Sequence, residues 1–215
     1  MAPLILRRQL IDTALAMNSV GLNQGTAGNL SVRTENGFLV TPSALPYDRC
    51  RPADMVEMSL AGAVEGRKGR PSSEWRLHRD IYLARAEAGA ILHAHPPWCT
   101  TLACLERSIP PFHYMVAVAG GDSIELAPYA TFGTQELSDH VLNALAGGRS
   151  ACLLAHHGMV CYAADLEAVL ALAIEVETLA RMYGQALQIG EPPLLSREQM
   201  SEVLERFSGY RQTSS

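Results

Sequence analysis

The sequence predicts an α/β chain of the α+β type: one domain, residues 1–215, with helices against a central, mostly antiparallel sheet. Three observations lead there. Short strand-like runs are joined by hairpin signals rather than by regular strand–helix–strand alternation. Helical periodicity fills the intervals between them. No repeat, low-complexity run or linker divides the 215 residues, of which 48% are apolar and 18% charged, a balance that suits one sizeable core.

The elements follow in order. Over residues 4–20, Leu6, Leu10, Ala14 and Met17 share one helical face, and Gly21 is a natural stop. A Gly-rich turn spans 23–29, and strand-like runs at 30–33 and 38–41 flank the hairpin signal Glu35-Asn36-Gly37. Runs at 56–60 and 63–65 extend that sheet. Pro71-Ser72-Ser73 opens a helix reaching about residue 88, with Ser72 or Ser73 as its cap. A buried strand covers 90–95 and a short helix 97–105, while 113–130 holds strand-like runs broken by Gly120-Gly121. Helix 135–145, a hairpin over 151–162 through Gly158, a long helix from Asp165 to 187 and a last helix over 197–206 complete the chain. The polar tail 209–215 reads as mobile unless a partner subunit orders it.

A formal charge of −5 argues against a sequence-independent nucleic-acid partner, which needs a basic face. No run approaches the ~20 apolar residues of a membrane span, and the first residues lack the ordered regions of a signal peptide. Cys50, Cys99, Cys104, Cys152 and Cys161 are odd in number and without CxxC spacing. They read as buried free thiols in a reducing cytoplasm.

Chemistry concentrates in the histidines. His93 and His95 flank Ala94 in an apolar run, so on a strand they point to one face with backbones roughly 6.5–7 Å apart. Two inward-leaning imidazoles can close that gap onto one ion at about 2.0–2.1 Å per bond. A third ligand comes from His156 or His157, which alternate across one strand, and the pattern leaves the choice open. Three imidazoles without thiolate suit zinc or another late divalent metal with a position free for substrate. His78, His113 and His140 read as ordinary polar positions.

Glu74 stands at a helix start, where an acid is favourable to the dipole by about 0.3–1 kcal/mol. The Ser72-Ser73 hydroxyls beside it also offer a seat for an anion. The turns 25–29 and 41–43 supply further amides, hydroxyls and a carboxamide, without a Walker or dinucleotide fingerprint. Together they read as a phosphate cradle made of three loops and no lysine.

Residues 21–29, Pro71-Ser72-Ser73-Glu74-Trp75-Arg76, His93-Ala94-His95, His113-Tyr114-Met115, the run 127–134 and His156-His157-Gly158 resemble the class II aldolase/adducin family, in order and over nearly the whole chain. The resemblance implies an α/β/α fold assembled as a homotetramer with active sites at subunit boundaries. It implies zinc, one ion per subunit and replaceable by cobalt or manganese, held by His93, His95 and His157, with Glu74 a further ligand when substrate is absent. Glu74 and Tyr114 match the family's proton-transfer residues, Tyr114 acting across a boundary. Phosphate contacts map onto Thr26, Asn29, Ser72 and Ser73, with Ser43 and Ala44 contributing, and Phe132 and Tyr210 match the aldehyde end.

The implied activity is reversible cleavage of a deoxyketose 1-phosphate to dihydroxyacetone phosphate and a small aldehyde. L-Fuculose 1-phosphate and 5-deoxy- or 5-methylthioribulose 1-phosphate are the substrates expected. Sugar-phosphate 4-epimerase or dehydratase chemistry, and a non-catalytic adducin-like module, are the alternatives. One departure concerns the second loop: a family member carries threonine-glycine where this chain has Ser43-Ala44, and alanine follows a phosphate less freely than glycine.

Overall fold

The computed structural model describes residues 2–66 and 69–213, with side chains described to Phe207. Seven strands form one sheet: β1 (Asn29–Thr34), β2 (Gly37–Val40), β3 (Val56–Ser59), β4 (Ala90–Ala94), β5 (Glu125–Ala127), β6 (Ala151–Leu154) and β7 (Gly158–Ala163). Their order is β3-β2-β1-β4-β7-β6-β5. Every neighbouring pair is antiparallel except β5–β6. Hairpin connections account for β1–β2 and β6–β7, as the turn signals predict.

The period of two sorts each strand's side chains between two cores. Leu30, Val32, Leu92, Leu153 and Met159 face one core, closed by α1 (Leu4–Ser19), α3 (Pro97–Cys104) and α5 (Leu166–Ile189). Phe38, Val40, Ile91, Cys152 and Val160 face the other, under α2 (Trp75–Ala84) and α4 (Gln135–Ala144). Leu10, Ala14 and Met17 bury the expected face of α1. Asp165 caps α5, its Oδ1 accepting the Ala168 N–H at 2.8 Å. Among the described residues no helix is long and apolar enough to cross a membrane.

Several boundaries differ from the sequence reading. Helix α2 starts at Trp75, with Glu74 at the cap position; Ser72 Oγ accepts the Glu74 N–H at 3.3 Å, and neither serine reaches an N–H within the helix. It stops at Ala84, well short of residue 88. There the Arg33 guanidinium donates to the carbonyls of Tyr82, Arg85 and Ala88, the groups a continuing helix would have used. Residues 113–130 are not mainly strand. Tyr114–Ala119 is a 3₁₀ helix that Gly120 ends at φ +83°, and only Glu125–Ala127 pairs with the sheet. The 63–65 run makes an isolated bridge at Val64 rather than a strand.

The β6–β7 turn covers residues 155–157, so His156 and His157 lie in a turn and not on opposite faces of a strand. Helix α6 (Arg197–Thr213) runs past residue 206, its Met200, Val203, Leu204 and Phe207 packing on the core at helical spacing. The backbone of the expected tail is thus helical to residue 213, and its side chains lie outside the described residues. Cys99, Cys152 and Cys161 are buried free thiols and Cys50 is half-buried, but Cys104 is exposed, at the last turn of α3.

Candidate active site

Strands β1 and β4 bring the first polar groups together. Asn29 and His93 are directly opposed in the antiparallel register, so their side chains share a face. His95, two residues on, falls on that face as the spacing predicts, and Asn23 Oδ1 accepts its N–H at 3.1 Å. The third imidazole is that of His157. His156 adopts φ +54° and gives its N–H to Ala103. That conformation turns the two side chains apart: His156 meets Glu106 at the exposed surface, and His157 turns inward. The donor nitrogens of His93, His95 and His157 lie within 4.8 Å of one another.

The set fits a divalent cation. His93 Nδ1–H donates to the Met159 carbonyl at 2.8 Å, which turns Nε2 toward the cluster, 3.0 Å from His95 Nε2. Glu74 completes the cluster, with Oε2 3.1 Å from His93 Nε2 and Oε1 3.6 Å from His157 Nε2. Oε1 is buried and has no hydrogen-bond partner. An unsatisfied carboxylate oxygen beside three convergent imidazoles is the donor set a metal would satisfy.

Charge follows from burial and neighbours. Burial pushes the imidazoles of His95 and His157 down to about 4, with His93 adding to it, so both are in the neutral, ligating form. Burial works to raise the Glu74 carboxyl, but His93, His157 and Asn29 outweigh it and hold the group below the usual carboxylate range. Burial likewise opposes the charged form of His93, and Glu74 overcomes it, raising that imidazole.

Glu74 is the residue preceding α2 and caps nothing; its side chain turns into the site, with Asn29 Nδ2 donating to Oε2 at 2.9 Å. A cleft of about 310 Å³ opens in front of it. Its far wall is three loops, carrying Thr26 and Asn29, Ser43 and Ala44, and Ser72 and Ser73, with no lysine or arginine lining it among the described residues. The second and third are joined, Ser43 N–H to Arg70 C=O and Ser72 N–H to Thr41 C=O, each at 3.0 Å. The first presses on the metal strand: a Cβ on Gly28, at φ +71°, would come 2.6 Å from the His93 carbonyl oxygen and also strike Asn23. Ala44 holds φ +58°, a conformation that favours glycine, so the departure noted in this loop carries backbone strain.

Phe132 lines the mouth of the same cleft and is 64% exposed. Its loop sits on the third wall through Gly133, where a Cβ would meet the Ser73 carbonyl oxygen at 2.7 Å. Tyr114 is not among the residues lining this chain's cleft; it is 52% exposed at the start of the 3₁₀ helix. The Tyr210 side chain lies outside the described residues. His113 and His140 are the ordinary polar positions expected, bonded to the Met115 N–H and the Pro128 carbonyl. His78 is not: it is fully buried, with Nε2 2.5 Å from Asn29 Oδ1 and Nδ1 2.6 Å from Ser31 Oγ.

Residues 8–184 match the class II aldolase and adducin N-terminal domain. A 5-methylthioribulose-1-phosphate/5-deoxyribulose-1-phosphate aldolase of Rhodospirillum rubrum is 53% identical over 95% of this chain and 92% of its own length. An L-fuculose phosphate aldolase of Escherichia coli is 50% identical over 95% of both chains. A solved L-fuculose 1-phosphate aldolase superposes with a TM-score of 0.93 at 38% identity, over 97% of this chain and 98% of its own.

Proposed function

The chain belongs to the class II aldolase and adducin family, and from that premise we propose a substrate and a division of labour among its residues. The substrate is a deoxyketose 1-phosphate, either a 5-methylthio- or 5-deoxyribulose 1-phosphate or L-fuculose 1-phosphate. The products are dihydroxyacetone phosphate and a small aldehyde. The observation that carries the reading is the Glu74 carboxylate, kept charged, with Oε1 free at the head of a cleft walled by phosphate-type loops.

Zinc is the cation proposed for His93, His95 and His157; when bound it supplies Lewis-acid stabilisation for negative charge developing on the ketose oxygens. Cobalt and manganese suit the same donors. In the condensation direction Glu74 Oε1 takes a proton from the hydroxymethyl carbon of dihydroxyacetone phosphate, whose electron pair attacks the aldehyde carbon. Tyr114 O–H then protonates the aldehyde oxygen. Cleavage is the reverse: Tyr114 receives the C4 hydroxyl proton, the C3–C4 bond breaks, and Glu74 returns a proton to C3. The lowered pKa keeps Glu74 ionised, the form able to accept a proton in this cycle.

Thr26, Asn29, Ser43, Ala44, Ser72 and Ser73 are the proposed phosphate contacts, made by amides, hydroxyls and a carboxamide. Gripping the non-reacting end positions the reacting carbons. Phe132 faces the aldehyde end, with Tyr210 assigned there by resemblance. Tyr114 stands outside its own chain's cleft and exposed, which supports a homotetramer in which it serves a neighbour's site. We further propose that residues 1–215 act as one domain, in the cytoplasm.

The test is an enzyme-coupled assay for dihydroxyacetone phosphate over a panel of ketose 1-phosphates, with metal content measured on the same preparation. Release from the 5-substituted ribulose or the fuculose ester is expected. Silence across the panel in metal-replete protein overturns the reading.

A further inference from the structure

Behind Glu74 runs a buried chain of polar side chains that proton transfer at the cleft does not directly touch. Asn29 and Ser31 alternate on one face of β1, and Glu74, His78 and Tyr82 recur every fourth residue along and before α2. The two rows interleave. Tyr82 Oη lies 2.9 Å from Ser31 Oγ, Ser31 Oγ 2.6 Å from His78 Nδ1, His78 Nε2 2.5 Å from Asn29 Oδ1, and Asn29 Nδ2 2.9 Å from Glu74 Oε2. All five residues are buried.

The carboxylate at one end decides the direction of every bond. Glu74 only accepts, so Asn29 must present its NH₂ there and its oxygen to His78. His78 must then carry its proton on Nε2 and accept at Nδ1, where Ser31 donates, leaving Ser31 Oγ to accept from the Tyr82 hydroxyl. Run the other way, each hydrogen would shift one place, and Asn29 Oδ1 would face the carboxylate at hydrogen-bond distance with no proton between them. Burial pushes the His78 pKa down to about 3, so the imidazole is neutral and its tautomer is a meaningful choice.

We propose that His78 and Ser31 are positioning residues for the proton-transfer carboxylate. Their tautomer lock keeps the Asn29 NH₂ on Glu74 Oε2, and so keeps the lone pairs of Oε1 aimed into the cleft. This rests on the role given to Glu74 above. Sequence distance hides the pairing, yet the spacing Glu74-His78-Tyr82 against Asn29-Ser31 is its trace in the chain.

The experiment follows solvent deuterium entering dihydroxyacetone phosphate in the absence of aldehyde, a readout of the Glu74 step alone. Ser31→Ala and His78→Phe should slow this exchange and kcat about 10–100-fold, as loss of a supporting hydrogen bond does, with KM and metal content unchanged. Wild-type exchange in either metal-replete variant overturns the inference, as does a loss that appears wholly in KM and so belongs to the phosphate grip. Glu74→Gln separates the two claims. If it exchanges like wild type, the reading of Glu74 fails; if it is silent while Ser31→Ala is normal, only the positioning role fails. Should both variants misfold, imidazole ¹⁵N shifts of the unmutated protein decide: Nε2-protonated His78 between about pH 5 and 8 is expected, and the Nδ1-protonated form overturns the inference.

Discussion

The same strands build both faces of the sheet, and the two faces do opposite things with equal burial. Toward α1, α3 and α5, β1 contributes Leu30 and Val32, and β4 contributes Leu92 and Ala94. Toward α2 those strands contribute Asn29, Ser31 and His93 beside Ile91, no more exposed than their apolar neighbours. Each fully buried aliphatic side chain stabilises by about 1.5–3 kcal/mol. A buried polar group returns about 0.5–1.5 kcal/mol per net hydrogen bond, and costs about 1–3 kcal/mol where a partner is missing. The apolar contacts on both faces therefore hold the fold, while the polar row toward α2 also holds a geometry. Asn29, Ser31, His78 and Tyr82 all have partners, and Glu74 Oε1 is left without one at the point where chemistry is assigned.

Breaking the polar face at its functional end should have the largest effect. Glu74→Gln is close in size and still accepts from Asn29, so the fold and bound metal should persist. Loss of a positioned acid–base group should lower kcat about 10²–10⁴-fold, measured as dihydroxyacetone phosphate release. Near wild-type turnover would show the proton passes elsewhere.

On the apolar face the loss should appear in stability instead. Leu179→Ala on α5, where the side chain is fully buried, should cost about 2–5 kcal/mol in urea unfolding. At temperatures where it remains folded, kcat and KM should match wild type. A selective loss of kcat would mean the two faces are not separable.

The smallest effect sharpens what the polar face costs. His78 has a folded pKa of about 3 against 6.5 when unfolded, so between those values the unfolded chain binds more protons. Stability therefore falls as pH drops below 6.5, with this residue contributing at most about 1.4 kcal/mol per pH unit. His78→Gln should flatten that part of the stability–pH curve in chemical unfolding between about pH 4 and 6.5. An unchanged slope would mean the imidazole is already protonated in the folded protein.

What could be read from the sequence divides along similar lines. The period of two placed His93 and His95 on one face, and the helical stripe of α1 fixed its buried side, because both are properties of adjacent residues. The choice between His156 and His157 was not available to periodicity, since a turn with His156 at φ +54° replaces strand alternation there. Helix α2 ended early because Arg33, about fifty residues upstream, takes its terminal carbonyls. His78 passed as an ordinary polar position because its partners, Asn29 and Ser31, belong to a strand distant in the chain. Of the strand-like runs at 113–130, the first is a 3₁₀ helix that Gly120 stops in a left-handed conformation, and only Glu125–Ala127 joins the sheet.

The contact of Gly28 with the back of the metal strand bears on selectivity. With no room for even a methyl group between Gly28 and the His93 carbonyl, the separation of phosphate loop and imidazoles is set by two backbones touching. On the proposed assignment of this loop to phosphate, the cleft acts as a fixed gauge, measuring a substrate from its phosphate to its reacting carbons. Beyond those carbons the described lining of the cleft ends at exposed Phe132. On that assignment, a cleft built this way fixes where the ester sits and leaves the choice of aldehyde to its rim.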